Sequence, residues 1–325
     1  MQVHRTRILW VLTSAAILAP ACGGGPESPT QAPAPAPTST PRPSGWSEGT
    51  ALLVVSGETQ EPVSGAKVFV AGAPRLTDAD GKVVVTAAAE GATVDVEAEG
   101  FLTRQTLVRY GETRLTLWPV TEQLSEGYTQ KLVYTSWDSS GSPMPLIRLP
   151  AKVRTLSLEP SEPLKAEWTA MDAHLGAAEY FNVAALGRMT FSVGGAADMT
   201  VPTRVNRADE YCDSDWTLLT RVWTSNREIT RAEIVFCSEK PSRLPQPILH
   251  EMGHVYGLRH SSSGFDVMYP MYAGEAMTHY GFSHGFTYPE VVTMTLMSWR
   301  RGGNVWPDND RTATSSATEV LVFAN

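Results

Sequence analysis

The stretch His250-Glu251-Met252-Gly253-His254-Val255-Tyr256-Gly257-Leu258-Arg259-His260 decides how the rest of the chain is read. Residues four apart share one face of a helix, so His250 and His254 can aim both imidazoles at a single ion. Glu251 follows the first of them, which places its carboxylate beside a metal rather than on it. Gly257 permits a left-handed backbone, so the helix can stop there and the chain can turn. His260 then swings back as a third nitrogen donor. Three protein ligands leave a fourth position for water, the arrangement of a catalytic rather than a structural zinc. With 7 His and 26 Gly in 325 residues, accident yields this pattern on the order of once in 10⁵ chains of such composition.

A second element agrees with the first. Asp266-Val267-Met268-Tyr269-Pro270 begins a few residues beyond His260, and the two stretches together resemble the metzincin metallopeptidases. Gly257-Leu258-Arg259-His260-Ser261 with Met268-Tyr269-Pro270 is most similar to the matrixin branch. The resemblance implies Zn2+ on His250, His254 and His260, Glu251 as general base for peptide hydrolysis, and Met268 as an apolar floor beneath the histidines. Relatives of the astacin and serralysin type carry a tyrosine ligand two residues past that methionine, where this chain has Pro270. Tyr269 and Tyr272 are therefore read as packing or rim residues. The likeness extends from about Leu146 to Arg300. It implies an extended substrate added as a strand to a sheet edge, for which Thr217–Thr224 is the expected edge. Residues from His260 to Tyr272 are expected to wall the adjoining pocket. Once Cys22 is assigned to the N-terminus, no cysteine stands in a position to mask the metal. His279 and His284 are read as surface residues.

Working outward, the C-terminal part reads as an α+β catalytic domain, a twisted mixed sheet plus three helices, over residues 128–306. Leu164, Trp168, Met171, Leu175, Ala178 and Phe181 recur at spacings of three or four, the signature of one helical face. His174 on that helix is expected to be satisfied or exposed rather than a ligand. Strands are expected at 188–193, 199–205, 217–224 and 231–237, and a helix opens near Pro245 or Pro247. Thr287-Tyr288-Pro289-Glu290 is a capping box that starts a last helix running to about Arg300. Residues 307–325 read as a tail.

Upstream, 46–119 carries short period-2 runs at 51–56, 66–71, 82–87, 93–98 and 114–117, separated by turn residues. That is the pattern of a small all-β sandwich. Pro62–Val70, Thr77–Val85 and Val94–Phe101 resemble the transthyretin-like, carboxypeptidase regulatory-type domain, which brings no catalytic residues.

The first 21 residues have a basic start (His4, Arg5, Arg7), a short apolar core and small residues, a signal peptide rather than a membrane span. Leu18-Ala19-Pro20-Ala21-Cys22 resembles a bacterial lipobox, which would place lipid on Cys22; the alternative is an ordinary signal peptide cut nearby. Residues 22–45 are Gly- and then Pro-rich, an extended stalk of about 3.1 Å per residue. Cys212 and Cys237 then form an even pair in an oxidising compartment, either one disulfide or two buried thiols. A net charge of -8 gives no basic stripe, so nucleic acid is excluded as a partner. The expectation is an exported peptidase, monomeric, membrane-anchored or secreted, acting on peptides or proteins. The rival reading is a surface-anchored binding protein with a vestigial zinc site.

Overall fold

In the N-terminal half, strands form where valines alternate with polar residues. The computed structural model describes residues 45–135, 143–212, 218–238, 244–270, 285–310 and 318–324. The leader, Cys22 and most of the stalk, together with Thr217, Tyr272, His279 and His284, lie outside the described residues. Strand β1 (Thr50–Ser56) pairs antiparallel with β4 (Lys82–Val85) and parallel with β7 (Arg114–Leu117). A second sheet has the order β3 (Ala73–Leu76), β2 (Lys67–Val70), β5 (Thr93–Glu97), β6 (Arg104–Leu107). Because side chains alternate between faces, Leu52, Val54, Val68, Val83, Val94, Val96, Leu115 and Leu117 all reach one buried apolar cluster shared by the two sheets. Strands β3 and β6 had no expectation from sequence: every residue of β3 is exposed, so nothing patterns it.

The rest is mixed α/β. Helix α1 (Glu126–Thr129) runs into a π-helical turn at Gln130–Tyr134. Strand β8 (Thr155–Pro160), the short α2 (Glu162–Lys165), the long α3 (Trp168–Ala185), β9 (Thr190–Val193) and β10 (Met199–Val205) follow. Then come β11 (Leu218–Ser225), β12 (Glu228–Phe236), α4 (Pro245–Tyr256), α5 (Tyr288–Ser298) and β13 (Thr318–Ala324). Their sheet has the order β13-β11-β12-β10-β8-β9. The strands from β12 to β9 are parallel, whereas β11 and β13 each run antiparallel to their inner neighbour.

Three expectations need correction. The buried stripe of α3 is Ala170, Ala173, His174, Ala177, Ala178, Phe181, Ala184 and Ala185, so Ala178 and Phe181 face inward as expected, while Trp168 and Leu175 are exposed, at 76% and 54%. Alanines win the inward face because the helix packs closely: a Cβ on Gly176 would stand 3.1 Å from Pro245 at the start of α4. Strand β11 is not an edge, because β13 pairs along its outer side. And the segment read as a tail supplies that strand, along with the buried carboxylates of Asp308 and Asp310.

Those carboxylates join the two halves. The fully buried guanidinium of Arg300 donates to both oxygens of Asp308 at 2.7 and 2.8 Å, and to the hydroxyl and carbonyl of Thr116 on β7 at 2.8 and 3.1 Å. Arg104 on β6 donates to the same Thr116 carbonyl and pairs with Asp310. Burial alone would push the Asp310 carboxyl up, but the charges of Arg104 and Arg300 hold it below its ordinary value. The pairing is what makes burial of these ions tolerable.

Candidate metal centre

Helix α4 carries the first two imidazoles and Glu251. Pro245 opens it at a position where a missing N–H costs nothing, and Gly257 closes it with φ +115°. A side chain at Gly257 would be strained by that φ and would also meet the Ile147 carbonyl at 2.5 Å. The turn it permits delivers the Leu258 carbonyl to Nδ1 of His254 at 2.8 Å. On the next turn up, Nδ1 of His250 meets the Val267 carbonyl at 2.6 Å. Carbonyls only accept, so both Nδ1 atoms carry the proton and both Nε2 lone pairs face inward.

The structure brings His260 to the same place. The ligand atoms of His250, His254 and His260 all lie within 4.8 Å of one another, and the two Nε2 atoms on α4 are 3.1 Å apart. A tetrahedral zinc at about 2.0–2.1 Å from each nitrogen spaces its ligands by roughly 3.4 Å; the α4 pair already stands near that spacing, and the three donors are of the right kind and number for such an ion once the rings draw together slightly. His250 and His254 are 1% and 0% exposed. Burial first, then the neighbouring His250 and His260, hold the His254 pKa well below its ordinary value, which keeps the ring neutral and able to coordinate.

Glu251 is 1% exposed. Its Oε2 accepts the hydroxyl of Thr220 on β11 at 2.6 Å, so the carboxylate is oriented by the sheet. Met268 lies under the helix: a Cβ on Gly253 would come within 2.2 Å of its sulfur. The turn bearing Met268 is tied down by two acids. Asp266 accepts from Tyr128 at 2.8 Å, from Thr287 at 2.7 Å and from Ser261. Glu290 accepts from the backbone N–H of Met268 at 2.7 Å and of Val267 at 3.2 Å, while also capping α5 through Thr287 at 2.7 Å. Burial and the Asp266 charge push the Glu290 carboxyl up to about 7.

Other expectations resolve as follows. His174 sits away from the cluster, fully buried, with Nδ1 at 2.7 Å from the Ala170 carbonyl and Nε2 at 3.1 Å from the Thr203 hydroxyl. Cys212 and Cys237 are joined as a disulfide. Thr220, Asp266 and Glu290 were not read from sequence as parts of this site. Asp266 lay in the quoted Met-turn stretch and Glu290 in the capping box, but nothing near Thr220 in the chain marks it.

Residues 165–284 match the family model Peptidase_M10, matrixin. The matched segment includes all three histidines, Glu251 and Met268, and it identifies a matrixin-like metallopeptidase region within the chain. That family is zinc-dependent and acts on peptides or proteins. No curated protein matches the chain.

Proposed function

We propose that the chain is an exported zinc-dependent endopeptidase, with zinc on His250, His254 and His260 and Glu251 as the general base. The observation that carries this reading is the convergence of the His250, His254 and His260 imidazoles, together with a carboxylate on the same helix as the first two, Glu251, that Thr220 orients. Zinc, when bound, supplies an acidified water and polarises the scissile carbonyl. Glu251 takes the proton of the attacking water and passes it to the leaving amine. Thr220 holds the carboxylate for that task, and the Nδ1–H bonds of His250 and His254 keep their rings fixed. Met268 keeps the floor apolar. A vestigial site has no reason to keep all of these parts together.

The proposed organisation is a signal peptide (1–21), a Pro-rich stalk with lipid on Cys22 (22–45), a transthyretin-like β-sandwich (46–119) and a peptidase domain that begins near 128 and whose sheet is completed by β13 beyond 306. The stalk would hold the catalytic region clear of a bilayer. Replacing Cys22 by Ser should release the protein from the membrane fraction with peptidase activity unchanged; a wild-type protein already soluble would refute the anchor.

The decisive experiment is cleavage of a peptide library by the purified chain, with and without chelator, alongside elemental analysis. Zinc near one per chain, activity lost on chelation and regained with zinc, and loss of both metal and activity in His254→Ala are expected. Full zinc content in His254→Ala would sink the ligand assignment.

A further inference from the structure

We propose that β13 is a self-supplied occupant of the peptide groove, an autoinhibitory strand that must leave before substrate can bind. The inference rests on the peptidase reading and adds its regulation. It starts from the outer side of β11. An extended peptide that adds to a sheet uses the free N–H and C=O groups of the edge strand, and each such row accepts one partner. Along β11 that row is taken by β13, in register from Leu219↔Ala324 to Ser225↔Thr318. Occupation by β13 and by substrate on this strand are therefore mutually exclusive.

Register places the blockage at the chemistry. Phe323 is opposite Thr220, the residue that orients Glu251. Its ring stacks on the imidazole of His254, with centroids 4.4 Å apart and planes 11° from parallel, and it is fully buried. The guanidinium of Arg259, itself 1% exposed, lies 5.1 Å from the same ring. None of the three guanidinium nitrogens of Arg259 has a hydrogen-bond partner among the described residues; the face of Phe323 and the charge of Glu319 on the same strand are what this buried cation meets. Glu319 forms an ion pair with Arg227 in the β11–β12 turn. Phe323 thus covers one face of the His254 imidazole with an apolar ring.

The hold is uneven along the strand: Phe323 belongs to the main core, with Leu321 packed against it. Val322 and Phe323 are buried, at 7% and 0%, whereas Val320 on the same strand is 50% exposed. Val322 packs with Leu219, Val235 and Cys237, a small cluster separate from the main core.

A reversible lock tests this in the full chain. Trp223 and Val320 are opposite each other in the register, so Trp223→Cys with Val320→Cys can be bridged by mild oxidation. The oxidised form should cleave peptide at least about tenfold more slowly than the reduced form, because substrate affinity falls with the fraction of open molecules. Val320→Cys alone, treated identically, controls for the native disulfide. A full-length Phe323→Ala variant should be more active than the wild type. Equal, measurable rates of cleavage in the oxidised and reduced forms would overturn the proposal and make β13 a fixed part of the sheet. A second readout needs no catalysis: a fluorescent synthetic peptide with the sequence of residues 318–325 should bind the reduced double variant and not the oxidised one. Such binding without any cleavage would uphold the occupant and refute the peptidase reading alone. Failure of the reduced form to bind the peptide would overturn the occupant.

Discussion

The hydroxyl of Thr220 donates to Oε2 of Glu251 across 2.6 Å, from the strand to the helix. On the proposed mechanism Glu251 collects a proton, and this bond would supply its aim. Thr220→Val keeps the shape and removes the donor. A hydrogen bond to a charged group contributes about 1.5–3 kcal/mol, so kcat/KM should drop roughly 10- to 100-fold with zinc content unchanged. Thr220→Ser should restore most of it. Steady-state kinetics beside elemental analysis make the check, and an unaltered kcat/KM in the valine variant would remove Thr220 from the mechanism. Glu251→Gln should lose more, about 10²–10⁴-fold, again with metal retained.

Gly253 and Met268 form a second linked pair. A Cβ at Gly253 would lie 2.2 Å from the methionine sulfur and 3.1 Å from its methyl carbon. Gly253→Ala should destabilise the protein by about 1–3 kcal/mol through overpacking, although alanine is the better helix former. Adding Met268→Ala should relieve part of that cost, since residues in contact couple by about 0.5–3 kcal/mol. Denaturant unfolding of the two single variants and the double variant, all zinc-loaded, would expose simple additivity if the contact were absent.

Glu290 predicts a pH dependence. Its carboxyl is raised from an ordinary 4.5 to about 7 by burial and by Asp266, so the folded state holds the proton to higher pH than the unfolded chain. The stabilising contribution is therefore complete below about pH 4.5 and declines as pH rises toward 7, by an amount on the order of 3 kcal/mol. Glu290→Gln should flatten the stability profile across that window. Unfolding midpoints measured from pH 4.5 to 8 decide it, and a variant profile parallel to the wild type would exclude Glu290 as the source.

The Cys212–Cys237 bridge spans a sequence separation of 25 and ends beneath Val322. Replacing both cysteines by Ser should cost roughly 3 kcal/mol, mainly by freeing the unfolded chain. Urea unfolding of the double variant would reveal it as a lower midpoint. A midpoint equal to that of the wild type would mean the bridge contributes nothing to stability.

Much of the molecule was legible because its cues are local. The spacing of His250, His254 and His260 around Gly257 is a helical face plus a left-handed stop, both properties of a few consecutive residues. The capping box at Thr287 and Glu290 is likewise contained in one turn, and it forms as read. The alternating valines of β1, β2, β4 and β5 reveal inward faces because strand side chains alternate wherever the strand lies. Strand β3 was missed because its four side chains are all exposed, and the α3 face was misjudged because helical spacing does not say whether alanines or a tryptophan will meet the neighbour.

The sequence by itself determined the identity of three nitrogen donors, their acid neighbour and the methionine below them, since four-residue spacing and a glycine stop act within one segment. Only the tertiary structure decided what surrounds them. Thr220 reaches Glu251 across 31 positions, and Tyr128 reaches Asp266 across 138. Phe323 lies on His254 because β13 takes the last free row of hydrogen-bonding groups on β11. Such pairings depend on which strand ends beside which helix, a consequence of the whole chain's packing rather than of any local pattern.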